Sequence, residues 1–411
     1  MKNYDIIIIG AGPAGLSFAR SFKDTKLQVL VLEKSPLEKI AKPAPDGREI
    51  ALTHLSLKIM TEQKTWQALP QEVISPIQYA RVVNGDSPYS LDFDHKKAKV
   101  DALGYLVPNY QIRQAIYNEV VNLDNIEILT DVTVEDVNTD AETAFVSYVK
   151  STDANPEMVT AQLVVAADSR FSATRRKMGI PCQMRDFSRT AIVCRMQHEL
   201  PHKETAYECF YYGRTMAILP MNNSVSSVVI TMSSSAANTL MNMSDESFNL
   251  DIEHHFQNRL GKMTLLDKRY SYPLIAIHAD RFYANRFAVI GDASVGMHPV
   301  TAHGFNLGLQ GQHILATAIK DAATRGKDIA SQRILKHYNF LHQQNTRPLY
   351  HGTNGIVTLF TSETLPAKLA RKAMLHLANN AFPLKKLISN KLTEANQGVK
   401  LPKLPLPFFI R

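Results

Sequence analysis

The most constraining feature of this 411-residue chain is a glycine turn set between an apolar run and a helical pattern within its first twenty-two residues. Asp5-Ile6-Ile7-Ile8-Ile9 reads as a buried strand, Gly10-Ala11-Gly12-Pro13-Ala14-Gly15 as the turn, and Leu16, Phe18, Ala19 and Phe22 as one face of a helix. Such a turn lets backbone N–H groups close on a pyrophosphate at the helix N-terminus, where the dipole favours negative charge. A second β run, Gln28–Leu32, ends in Glu33-Lys34, a carboxylate about 20 residues beyond the glycines and suited to ribose hydroxyls. Strand, turn, helix, strand and terminal acid in that order predict dinucleotide binding.

Which dinucleotide is decided far downstream. Arg286–Ile290 reads as another buried strand, ending at Gly291-Asp292-Ala293, and a helix follows Gly304-Phe305-Asn306-Leu307-Gly308. Asp292 is placed to accept hydrogen bonds from a polyol chain. The N–H groups at Gly304, Phe305 and Asn306 are placed to face an electron-rich ring whose reduced form carries negative charge. Those two demands together describe a flavin.

With a middle motif, these segments resemble the single-component FAD-dependent aromatic hydroxylases. The middle motif is Ala167-Asp168-Ser169-Arg170-Phe171-Ser172-Ala173-Thr174-Arg175, where the family reads Asp-Gly-x-x-Ser-x-x-Arg beside the pyrophosphate. Ser169 stands where the family has Gly. In the last motif Gly291, Asp292, Ala293, Pro299, Gly304, Asn306 and Gly308 match, while Val295, Ala302 and Gly311 depart from the family's His, Gly and Asp. Within the class the chain resembles the ubiquinone-biosynthesis hydroxylases, and Ser294–Gly304 resembles the demethoxyubiquinol hydroxylase branch. Gly47-Arg48-Glu49-Ile50-Ala51-Leu52 is similar to the family's Gly-Arg-x-x-x-Leu stretch, and Gln111-Ile112-Arg113 to its second FAD-contacting arginine, at the start of a helix. The resemblance implies FAD contact at Gly10, Gly12, Pro13, Ala14, Gly15, Glu33, Lys34, Arg48, Arg113, Val132, Asp168, Asp292, Pro299, Gly304, Phe305 and Asn306.

The resemblance also implies the chemistry: NAD(P)H reduces the flavin, and one oxygen atom of O₂ passes to an electron-rich, prenylated ring of a quinone precursor. No side chain is then the oxidant, and no catalytic residue is assigned. His54, His298 and His303 stand near the motifs, each readable as a base or as a structural histidine. Asp168 reads equally as an N-cap. Two other activities fit the scaffold, hydroxylation of small soluble phenols and prenyl reduction. So does a non-catalytic role as a flavin-containing accessory subunit among other ubiquinone-biosynthesis enzymes.

The expected fold is α/β, a Rossmann-like FAD-binding domain of glutathione-reductase type with an inserted antiparallel sheet and C-terminal helices. The FAD domain is expected to be discontinuous over 1–70, 105–180 and 275–345. The substrate sheet is expected over 71–104 and 181–274, with Pro220 and Pro273 at its turns, and a helical basic segment over 346–411. Cys182, Cys194 and Cys209 are widely spaced, which predicts neither a zinc site nor a disulfide framework and suits a reducing cytosol. No run approaches the roughly 18 apolar residues of a membrane span. From Pro366 onward nine basic residues face only Glu394, a balance equal to the whole formal charge of +8. Interleaved with Leu369, Leu375, Phe382, Leu387 and Phe408-Phe409, they suit an anionic membrane surface, here the inner face. The competing reading is a pair of packed helices with a solvated basic face. No aromatic platform accompanies the charges, so nucleic acid is not expected.

Overall fold

The computed structural model describes all residues except 86–89, 212, 223, 299–302 and, beyond Thr361, all but 364, 366, 370, 371, 393 and 394. The chain opens with β1 (Lys2–Ile9), α1 (Pro13–Arg20) and β2 (Val29–Leu32). Helix α2 (Leu37–Ala41) leads to β3 (Glu49–Leu52) and α3 (His54–Glu62), and then to β4 (Ser75–Ile77), β5 (Tyr79–Asn84) and β6 (Ser90–Asp94). After α4 (His95–Ala98), β7 (Gly104–Pro108) and α5 (Asn109–Asn118) come β8 (Ile126–Leu129), β9 (Val132–Thr139), β10 (Ala144–Lys150), β11 (Asp153–Ala166) and α6 (Ala173–Lys177). The long excursion holds β12 (Cys182–His198), β13 (Thr205–Tyr211), β14 (Arg214–Pro220), β15 (Val225–Ser233), α7 (Ser234–Met241), α8 (Asp245–His255), β16 (Met263–Leu265) and β17 (Tyr270–Ala279). The chain returns through β18 (Tyr283–Ala284), β19 (Phe287–Val289) and β20 (Val295–Gly296) to α9 (Gly304–Thr324) and α10 (Gln332–Thr361).

Two large sheets organise these elements. In the first, β19, β11, β1, β2 and β8 run parallel in that order, with β18, β10 and β9 added antiparallel. Ile6–Ile9, Val29–Leu32 and Leu163–Ala166 are buried on both faces, as a parallel sheet sandwiched by helices requires. The second has nine strands, β20, β17, β12, β15, β14, β13, β5 and β6 in order, with β16 on the edge of β12. It is antiparallel except where β5 runs parallel to β13. One of its faces packs Cys194, Met216, Ile218 and Ile230 against Leu240, Phe248 and Ile252 of α7 and α8.

Several expectations are corrected here. The 71–104 stretch is shared between two sheets: β4 joins β3 and β7 in a small third sheet, and only β5 and β6 join the large one. Pro273 lies inside β17, opposite Thr190 where β12 shifts register, so the irregular pairing accommodates its missing N–H. Helix α5 begins at Asn109, directly after Pro108, which puts Arg113 mid-helix rather than at its start. Residue 345 falls within the continuous α10 and does not end an element. Helices α7 and α8 were not foreseen, although Ser233 and Ser244 cap their N-termini in the usual manner. Most of the basic tail lies outside the described residues. Among the described residues no helix is long and apolar enough to cross a membrane, and no cluster of potential metal ligands occurs. The three cysteines are free thiols.

Candidate functional site

The glycine turn is shaped by exclusion. Gly10 sits at φ +108°, and a Cβ there would lie 2.6 Å from the carbonyl oxygen of Ala167. A Cβ on Gly15 would lie 2.0 Å from the carbonyl oxygen of Gly10. The first turn of α1 therefore folds back on β1, and β1 touches the segment entering Asp168. Gly291 completes the junction, since its Cβ would meet that of Ala14 at 2.7 Å, and Gly308 packs on the Gly291 Cα. The three distant motifs converge.

Around that junction the acids are held by backbone. Glu33 accepts from the Ala11 N–H at 2.6 Å and the Ser35 N–H at 2.7 Å, one on each carboxylate oxygen. Val132 is buried beside it and donates its N–H to the Glu33 carbonyl at 3.0 Å, while Lys34 is exposed. Asp168 Oδ2 accepts from the Thr174 N–H and hydroxyl in the first turn of α6, but the N-cap is Ser172, whose hydroxyl accepts from the Arg175 N–H, which corrects the N-cap reading of Asp168. Its Oδ1 is buried with no hydrogen-bond partner among the described residues. Ser169 adopts φ +77°, the left-handed conformation for which glycine is the natural occupant. Asp292 is half-exposed and pairs with Arg170 at 3.1 Å.

At the ring end, Asn306 in the first turn of α9 ties three segments together. Its Oδ1 accepts from the Thr53 N–H and the Ser56 hydroxyl, and its Nδ2 donates to the Ala51 carbonyl. Thr53 also donates its hydroxyl to Glu394 at 2.7 Å, so one described point of the C-terminal stretch reaches this junction. Beneath it, Ser17, Gln63 and Gln312 form a buried polar link between α1, α3 and α9. Gly304 and Phe305 open α9, while Pro299 lies outside the described residues. Gly311 is explained by its neighbour: a Cβ there would lie 2.5 Å from the His342 ring, so the space of the family's Asp is already filled.

The loop before β3 carries the arginines. Arg48 pairs with Asp46 and lies 5.4 Å from the Tyr272 ring centre. Burial would raise the Asp46 pKa, but hydrogen bonds from Arg48 and Asn109 hold it below the usual carboxylate range. Arg113 reaches the Lys39 carbonyl, and its pKa is lowered by burial and by nearby Arg48, against the pull of Asp46 and Glu33. Next to Arg48, Glu49 is 1% exposed and accepts from Arg195 of β12 at 2.7 Å, which bridges the small sheet and the large one. Burial pushes the Glu49 pKa up to about 7 in spite of that guanidinium.

None of the three histidines stands out as a base. His54 Nε2 lies 2.8 Å from the Ala102 carbonyl. His298 is packed edge-on against Phe187, and burial with nearby Arg189 and Arg170 lowers its pKa to about 4, which keeps it neutral. His303 is buried at the N-cap of α9.

These residues fit FAD on two observations. A Cβ on Gly12 or on Gly304 would meet nothing within 4 Å, so both helix N-termini open onto space. The orphaned Asp168 Oδ1, buried beside the first of them, calls for a hydrogen-bond donor that the described residues do not supply.

The FAD binding domain family matches residues 3–344. The ubiquinone hydroxylase UbiM of Neisseria meningitidis is 47% identical over 95% of this chain and 84% of its own length. The ubiquinone hydroxylase UbiL of Rhodospirillum rubrum is 31% identical over 94% of this chain and 88% of its own. The 3-demethoxyubiquinol 3-hydroxylase of Escherichia coli, the branch the sequence resembles around Ser294–Gly304, is 24% identical over 93% of this chain and 96% of its own. In fold, p-nitrophenol 4-monooxygenase PnpA from Pseudomonas putida superposes with a TM-score of 0.77 at 17% identity, covering 96% of this chain and 99% of that one.

Proposed function

The chain belongs to the FAD-binding ubiquinone hydroxylase family, and from that premise we propose that it hydroxylates a prenylated aromatic ring of a quinone precursor, using NAD(P)H and O₂. The observation that carries this reading is the 47% identity to a ubiquinone hydroxylase over nearly the whole chain, joined to the convergence of the three motifs. When bound, FAD supplies the redox chemistry that activates oxygen. The protein's residues hold and shield it. The backbone N–H groups of Gly12 and Ala14 would hold the pyrophosphate, Glu33 the adenosine ribose, and Asp168 and Asp292 the polar groups between the nucleotide and the ring. Arg48 and Arg113 add positive charge beside the phosphates. Gly304, Phe305 and Asn306 present the open end of α9 to the ring, where its positive pole stabilises negative charge.

The inserted sheet covers the ring from the other side. The second face of that sheet carries Val82, Ala217, Val229 and Val193, an apolar wall suited to a prenyl-substituted ring and to exclusion of water. We also assign the basic, apolar stretch after Pro366 to contact with the anionic membrane in which such substrates dissolve.

Purified full-length protein loaded with FAD tests the reading. NAD(P)H oxidation is expected to be stimulated by prenylated phenols and not by hydroxybenzoates, with a product heavier by one oxygen atom. Stimulation by small hydroxybenzoates alone, or a product with saturated prenyl double bonds, overturns it.

A further inference from the structure

The large sheet has two faces. Tyr207, Cys209 and Tyr211 of β13 point into the core beneath α7 and α8. Glu208 and Phe210 therefore point to the opposite face. Strand pairing places Leu91, Val82, Glu208, Ala217, Val229, Val193 and Tyr270 side by side across seven strands of that face. Glu208 is the one acid of the row, flanked by Val82 and Ala217.

The far end of the row meets the cofactor side of the molecule. The Tyr270 hydroxyl donates to the Pro45 carbonyl at 3.1 Å, and its ring closes on Gly47, directly before Arg48. Tyr272, on the next row, donates to the Asp46 carbonyl at 2.7 Å. The wall carrying Glu208 is thus the wall that faces the Asp46–Arg48 loop. Glu208 stands four strands from Tyr270, about 19 Å at the usual strand spacing, a span that leaves room for an aromatic ring and its substituents. On the other side of Glu208, Ile356 and Leu359 of α10 cover Leu91, Phe93 and Phe210.

Glu208 makes no hydrogen bond or ion pair with any described residue. Its environment is dry enough that desolvation alone raises its pKa, to about 8, with no charged neighbour contributing. Yet part of its surface remains accessible to water. The groups facing it are apolar: Val82 from β5, Leu91 from β6, Ala217 from β14. Of the charged groups on the same face of β12, Arg195 is engaged by Glu49 and Arg189 donates to the Gly213 carbonyl, and neither contributes to the Glu208 shift; Cys209 beside it is turned to the other face.

We infer that Glu208 is the catalytic base of ring hydroxylation, accepting the proton of the substrate's phenolic hydroxyl; this deepens the function proposed above and rests on it. The phenolic O–H bond breaks, an O–H bond forms on a Glu208 carboxylate oxygen, and the electron pair stays on the ring oxygen. No oxidation occurs in this step. The phenolate formed is the better nucleophile toward electrophilic oxygen, and the proton returns to solvent when product leaves.

The test uses the full-length, FAD-loaded protein with a prenylated phenol. In the wild type kcat/KM is expected to rise about tenfold per pH unit toward a plateau above the Glu208 pKa of about 8. Glu208→Gln is expected to bind the phenol within about threefold of wild type and to lose about 100-fold in kcat. It should also lose the pH limb and release hydrogen peroxide in place of hydroxylated product. A Glu208→Gln protein that turns over with the wild-type pH profile overturns the inference and leaves the hydroxylase reading standing. A wild type inert toward every prenylated phenol, but active on hydroxybenzoates, overturns that reading instead. Should the variant fail to fold, the ultraviolet difference spectrum of phenol bound to the wild type decides. Ionisation of the bound phenol near pH 8 supports the role, and a phenol that stays protonated to pH 9 overturns it.

Discussion

The glycine junction and the inner face of the large sheet serve one proposed reaction by opposite means. At the junction the protein works with backbone: Gly10, Gly15 and Gly291 remove side chains so that strands and helices can touch, and N–H groups are left to bind. On the sheet face it works with side chains, a row of apolar residues interrupted by a single carboxyl. The first arrangement tolerates almost no substitution in sequence. The second constrains only which residues alternate toward which face, and both faces are largely apolar, so alternation of polarity cannot announce it. Backbone sites are conspicuous in a sequence, and side-chain sites on doubly covered sheets are not.

The largest effect that can break this comparison is expected at Gly15. Gly15→Ala forces a Cβ onto the Gly10 carbonyl and should yield little soluble, FAD-containing protein. Gly12→Ala is the contrasting case. Its Cβ meets nothing, so the protein should unfold at the wild-type temperature while binding FAD at least about tenfold more weakly, because only the ligand needs that space. If Gly12→Ala binds FAD normally, the backbone half of the comparison fails.

Next in size is the bridge between the two regions. Arg195→Met leaves Glu49 buried without its guanidinium and should cost about 3 kcal/mol in denaturant unfolding, with much of the loss recovered when Glu49→Gln is added. Additive losses would mean that the pair does not couple the sheets.

Glu208 gives a smaller, pH-dependent signature. Its folded pKa, about 8, is raised above the ordinary carboxyl value of 4.5, so the folded state holds the extra proton and stability falls as pH climbs through that window. Glu208→Gln should therefore match the wild-type melting temperature at pH 4 and exceed it at pH 9. Equal melting temperatures at both values would place the carboxyl in water. The smallest effect is at Ser169, where Ser169→Gly should add about 1 kcal/mol by removing the left-handed strain. No gain would show that the hydroxyl has work of its own.

What could be read from the chain divides along the same line. The β1-turn-α1-β2 unit and the places of Asp168, Asp292 and Asn306 followed from motifs whose spacing is set by backbone contact. Ser169 and Gly311 read as departures, and each has a structural companion, a left-handed residue in one case and the His342 ring in the other. The Glu49–Arg195 bridge and Glu208 were not legible, because the first depends on β3 meeting β12 from another sheet and the second on β13 pairing with β5, elements far apart in sequence. Helices α7 and α8 could have been found: Ser244 before Asp245 and Glu246, with His254 and His255 closing the helix, is a readable start and stop.

The order of strands in the parallel sheet carries a consequence for biogenesis. Within this sheet β1 is made before its neighbours, but the Val164–Ala166 end of β11 must wait for β19, since β10 pairs only the earlier part of that edge. At about 5–20 residues per second, the residues between Ala166 and Phe287 keep that end of the nucleotide half unfinished for roughly 6–25 s while the intervening sheet can complete most of its own pairings. Productive folding in the cell then depends on keeping an apolar, half-assembled sheet away from other chains until the last motif emerges.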